Sequence, residues 1–140
     1  MKYRWLVAVV TLHTGLLVGN GYLHQKIDLI YTVSKYSPIL TLFALLPLVG
    51  VGLILIKTIR QGLIVLLGTL PAALIYHIYF RFSSLPPFTR EDPALIWKIL
   101  YEGSFGLMLA CEVIAFWMAL KSLQEYHTTL QTRRDITPQS

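Results

Sequence analysis

The sequence predicts an all-α, four-helix transmembrane bundle, and three observations lead there. Charged residues make up 14% of the 140-residue chain and hydrophobic ones 55%, whereas soluble domains carry about 25% charged residues. The charges fall in short islands separated by nearly pure apolar stretches. Each stretch approaches the roughly 20 residues that a helix rising 1.5 Å per residue needs to cross a hydrocarbon core about 30 Å thick. The stretches occupy most of residues 1–140, which therefore read as a single membrane domain with no room for a soluble one.

The first helix is expected over about residues 5–23, behind the basic start Met1-Lys2-Tyr3-Arg4. Such a start also suits a cleaved secretory signal, and Gly19 and Gly21 offer small residues near its end. The length of the run, His13 within it and the lack of an Ala-x-Ala end favour a retained helix. From His24 to Ser37, Ile27, Ile30 and Tyr31 share one helical face while Lys26, Asp28 and Lys35 are polar. The segment reads as a short amphipathic piece in the outer interface, or as a plain loop. Ser37-Pro38 supplies a cap and a first-position proline for a second helix over about 39–56, with Pro47 as an internal kink.

Lys57 to Gly62 reads as a charged turn, short enough to force the second and third helices into an antiparallel hairpin. The third helix is expected over about 63–82, with Pro71 inside it. Ser83 to Asp92 is a loop, because Pro86-Pro87 cannot continue a helix, and Asp92-Pro93 starts the fourth. The spanning part of that helix is expected over about 97–120, and the polar tail 126–140 is expected to fray.

Basic residues orient the chain. Lys2, Arg4, Lys57, Arg60, Lys121, Arg133 and Arg134 flank one side, against Lys26, Lys35, Arg81, Arg90 and Lys98 on the other. By the positive-inside rule both termini are cytoplasmic, in a multi-pass protein of the plasma membrane. The net charge of +5 and the pI near 9.5 sit on these flanks, so no basic face remains for nucleic acid. The single cysteine, Cys111, cannot form an internal disulfide or a CxxC redox pair, and it reads as a packing residue.

Polar side chains inside hydrocarbon are costly, about 3 kcal/mol for a charge at the helix centre on insertion scales. Glu112, in the middle of the fourth apolar stretch, must therefore be protonated, paired or facing water. His13, near the middle of the first helix, is its natural partner. Asn20 and His24 follow His13 at seven and eleven residues on the same helical face, so a polar stripe looks into the bundle. His77 and Glu102 are expected in a second layer nearer the outer surface. Trp97, Tyr76, Tyr79 and Tyr101 read as interface-belt aromatics and Arg81 as snorkelling. The functional reading of this core is a site for a proton, a cation or a polar ligand; the bland one is a neutral hydrogen-bonded glutamate that packs helices together.

Bis-histidine haem would need His24 with His77, the only pair near matched depth, and a quinone-like ligand would need the polar core; neither cofactor is expected. No HExxH, Cys-His cluster, phosphate loop or Ser-His-Asp arrangement appears, so no local motif announces a metal site or a nucleophile. Gly103, Gly106 and Ala110 recur at three- and four-residue spacing on the fourth helix. Such small residues serve helix packing within the bundle, or form a seam for self-association or a larger membrane partner. In size and helix number the chain is similar to small multidrug transporters and DoxX-like membrane proteins. The former centre on a first-helix glutamate where this chain has His13, and the first-helix pattern of the latter is missing. Shape alone assigns no function. The leading expectation is a non-catalytic accessory, assembly or immunity-type subunit acting through helix contacts in the lipid bilayer. A carrier or redox accessory using the His/Glu core comes second, and a membrane enzyme acting on lipid third.

Overall fold

The computed structural model describes residues 3–26, 33–83 and 95–136, with side chains over 3–23, 41–79 and 96–132. Four helices follow one another: α1 (Arg4–Lys26), α2 (Val33–Leu55), α3 (Ile59–Ser83) and α4 (Leu95–Ile136). The described residues contain no strand. Three apolar runs, Arg4–Leu23, Ile59–Tyr79 and Ile96–Thr132, are long enough to cross a membrane, and α2 contributes a shorter one, Thr41–Leu55.

The helices form a closed ring in chain order. α1 packs on α2 and α4, and α3 packs on α2 and α4, so α1 stands diagonal to α3. The inward face of α1 carries Leu6, Val10, His13 and Asn20, that of α3 carries Leu63, Leu66, Leu70, Ala73 and His77, and that of α4 carries Tyr101, Met108, Glu112, Ala115 and Ala119. Steps of three, four or seven residues keep such a seam turned toward its neighbours. The outward face is apolar too: Val18, Ile75 and Trp117 are each about two-thirds exposed, at 67%, 69% and 66%. Apolar surface on every side suits a hydrocarbon solvent, where burial follows packing and polarity rather than hydrophobicity alone.

Several element ends differ from the sequence expectation. The turn between α2 and α3 is shorter than Lys57 to Gly62, because a Schellman motif closes it. Lys57 takes the left-handed conformation at φ 70°. The Lys57 and Thr58 amides then donate to the carbonyls of Ile54 (3.1 Å) and Leu53 (2.9 Å). The Thr58 hydroxyl also donates to Leu53 O at 2.8 Å, while Thr58 O accepts the Gly62 amide at 3.1 Å. One residue thus ends α2 and starts α3, and Arg60 and Gln61 lie on a helix rather than in a loop.

Of the segment expected as a separate interfacial piece, residues 24–26 continue α1 and 33–37 open α2, while Ile27, Ile30 and Tyr31, which carried that expectation, lie outside the described residues. α1 runs on to Lys26 and α2 begins at Val33, ahead of Ser37-Pro38, so that pair is not the cap. Pro38 is the sixth residue of α2, past the first turn, so the helix there goes without the backbone bond an amide at this position would make to Ser34. Residues 27–32 lie outside the described part, as does 84–94, where the Pro86-Pro87 loop and the Asp92-Pro93 helix start were expected. Of the tail expected to fray, residues 126–136 continue α4 as helix to Ile136. Leu, Gln, Glu, Lys and Arg are good helix formers, and no glycine or proline interrupts them before Pro138. Polarity there signals water around the helix, not loss of the helix.

Candidate functional site

Midway along the ring, three buried side chains from three helices meet. His13 Nε2 of α1 and His77 Nδ1 of α3 each lie 2.8 Å from the same carboxylate oxygen, Oε1 of Glu112 on α4. Side-chain exposure is 0% for His13, 4% for His77 and 0% for Glu112. α4 touches both α1 and α3, which do not touch each other, so Glu112 is the residue placed to bridge that diagonal. Each of the three occupies a core position on a seam whose other buried residues are mostly Leu, Ala, Val or Met.

The protonation logic follows from the shared oxygen. When Glu112 is ionised it is acceptor-only, so both imidazoles donate to Oε1, His13 through Nε2–H and His77 through Nδ1–H. The neutral rings then present bare acceptor nitrogens on their far edges. Those atoms, His13 Nδ1 and His77 Nε2, make no hydrogen bond to a described residue, and neither does Glu112 Oε2. Buried polar atoms left this way are rare, and each is a place where a proton, a water or an ion would bind. The node can hold an added proton on either ring or on the carboxyl, and transfer between partners needs a shift of well under an ångström.

The expected His13–Glu112 contact is present. His77, expected in a separate outer layer, shares Oε1 with it. His13 lies near the middle of the apolar run Arg4–Leu23, whereas His77 lies close to the end of Ile59–Tyr79. The two nevertheless meet at one carboxylate oxygen, so position along an apolar run does not by itself fix which side chains meet. Tyr76 and Phe43 brace the His77 ring, with centroids 5.9 and 6.1 Å away.

Asn20 is buried but does not join the node. Its Nδ2 donates to Ser104 Oγ at 2.9 Å and to Tyr101 O at 3.4 Å, one layer further along α1 and α4. Ser104 in turn donates to Tyr101 O at 2.9 Å. Ser104 was missed in the sequence, although it lies eight residues before Glu112 on α4. Tyr101 is buried at 2% rather than lying in an interface belt, and it stacks on Phe105 at 6.5 Å. Glu102 points away from the ring and is exposed. The side chains of His24 and Arg81 lie outside the described residues, and the His24–His77 pairing falls outside with them.

Gly103, Gly106 and Ala110 face outward, and a Cβ built on either glycine meets nothing within 4 Å. They do not pack this bundle. The close approach is made elsewhere, by Gly50 of α2 and Gly62 of α3. A Cβ on Gly62 would lie 2.6 Å from Gly50 O, and one on Gly50 would lie 2.8 Å from Leu66 Cγ. Comparison with protein-family models, curated proteins and solved structures finds no match for this chain.

Proposed function

We propose that this chain is a four-span protein of the plasma membrane that acts as a small carrier or redox accessory, with the His13–Glu112–His77 node holding and passing protons or cations. One observation carries the reading. Two imidazoles from diagonal helices converge on a single buried carboxylate oxygen at 2.8 Å. A glutamate serving only to fasten helices needs one partner. This one has two, both imidazoles, and the node keeps three further polar atoms free of described partners. Intramembrane ionisable groups arranged in chains are what proton relays are built from.

The test is flux. The purified protein is placed in liposomes containing a pH-sensitive dye, and a potential is imposed. Wild-type vesicles should acidify faster than protein-free ones, and Glu112→Gln, which preserves size, should lower the rate at least to about a tenth, as expected when a proton-transfer group is removed. Flux equal to that of protein-free vesicles, or unaffected by Glu112→Gln, sinks the reading.

A second reading, the accessory or assembly subunit, is favoured by the outward face of Gly103, Gly106 and Ala110 on α4, which no described residue covers. A stoichiometric larger partner on extraction from native membranes, with no flux from the isolated chain, would support it. Both readings share a topology with cytoplasmic termini. Thr58 sits in the α2–α3 turn, so a cysteine there should resist an impermeant thiol reagent in intact cells. A cysteine at Ser84 should react, and the native Cys111 is silent because it is buried. Labelling at Thr58 and protection at Ser84 would invert the orientation.

A further inference from the structure

We infer that the node is a binding site for a divalent transition-metal ion of borderline softness, such as Zn2+ or Co2+, held by His13, His77 and the Glu112 carboxylate. The inference rests on the reading of this node as an exchangeable cation site, and it names the cation class. The ligating atoms of the three side chains lie within 4.8 Å of one another. Around one zinc ion, with Zn–N and Zn–O distances of about 2.0–2.2 Å, they would stand roughly 3–3.5 Å apart. The approach required is an ångström or so, within the reach of side-chain rotation.

The donor set selects the ion. Imidazole favours zinc, cobalt, nickel, copper and iron over magnesium and calcium, which take oxygen ligands. Two histidines and one carboxylate are a recurring set for zinc and for iron(II), with positions left open for water or a substrate. Glu112 Oε2, without a described hydrogen-bond partner, gives the carboxylate a second donor atom. The chemistry balances simply. The ion takes the place of the protons that the imidazoles share with Oε1. Each neutral ring ligates through the nitrogen that now faces Glu112 and shifts its one ring proton to the opposite nitrogen, so both rings stay neutral imidazoles. Any further proton held on a ring or on the carboxyl must leave to water when the ion enters, and that displacement couples cation binding to proton release.

His24 and His127 are the other histidines of the chain. Both are changed to glutamine in the background protein, which is purified without a histidine tag, so that His13 and His77 are the only imidazoles. Titration with Co2+ should give a visible d–d band saturating at one ion per chain, and Zn2+ should bleach it. His13→Gln, His77→Gln and Glu112→Gln should each weaken binding by roughly 100-fold or more, since loss of outer-shell partners alone costs about 10–100-fold. Where a variant fails to fold, X-ray absorption at the cobalt edge of the background protein should report two imidazoles with oxygen donors. Absence of stoichiometric binding, binding indifferent to the three substitutions, or an absorption spectrum without imidazole overturns the inference. Proton flux is read on the same preparation. Flux without Co2+ binding overturns the metal site and leaves the carrier reading standing; Co2+ binding without flux supports the metal site and removes the carrier reading.

Discussion

Replacing Glu112 by leucine should destabilise the bundle by about 2–4 kcal/mol, from two buried hydrogen bonds lost and two imidazoles left without an acceptor. The change removes a residue whose carboxylate ties α1 and α3 to each other through α4. Glu112→Gln should cost far less, because an amide of the same shape can still bond one ring. His13→Leu alone should fall between them: His77 keeps the carboxylate engaged, so no charge is left wholly unpaired. Unfolding in detergent, followed by tryptophan fluorescence, measures all three. The double change His13→Leu with Glu112→Leu should cost less than the sum of the singles by about 1 kcal/mol, the usual scale for residues in contact. Strict additivity would mean that the two side chains do not touch in the folded protein.

Gly62→Ala should be the most damaging conservative change at a residue outside the node, at about 1–3 kcal/mol. The added methyl would sit 2.6 Å from Gly50 O and 2.7 Å from Ile54 Cγ1. A backbone oxygen cannot step aside, so α2 and α3 must separate, and Leu66 and Ile54 lose their packing with them. This loss outweighs the roughly 0.5–1 kcal/mol by which alanine favours a helix over glycine. Gly106→Ala keeps that gain, since nothing lies within 4 Å of the new methyl. The two substitutions should therefore shift the detergent unfolding midpoint in opposite directions. A neutral Gly62→Ala would rule out the close approach of α2 and α3.

The sequence displays two rows of small residues, and local spacing alone points to the wrong one. Gly103, Gly106 and Ala110 have the regular spacing of a packing face, yet they look outward. Gly50 and Gly62 are twelve residues apart on two helices, and only the tight Lys57–Thr58 turn folds them onto each other. The misplaced depth of His77 has a similar origin. Each apolar run was centred on the same membrane plane, although helices in a bundle can slide along their axes to match side chains. A signal for the correct placement was present in α3. Leu63, Leu66, Leu70, Ala73 and His77 form one unbroken seam, which marks His77 as an inward residue irrespective of its depth.

By itself the sequence determined the helical class, the number and approximate spans of the helices, and the inward direction of His13, Asn20 and Glu112. All of these follow from quantities that run along a single helix: the length of an apolar run, the cost of a polar group in hydrocarbon, and the angular period of a face. Only the tertiary structure decided which helices are neighbours and that two histidines, not one, share a single oxygen of Glu112. Those depend on contacts between helices. In a chain whose outer surface is as apolar as its interior, the hydrophobic pattern that would mark neighbouring faces in a water-soluble protein is nearly absent, so packing shape and a few buried hydrogen bonds make the choice.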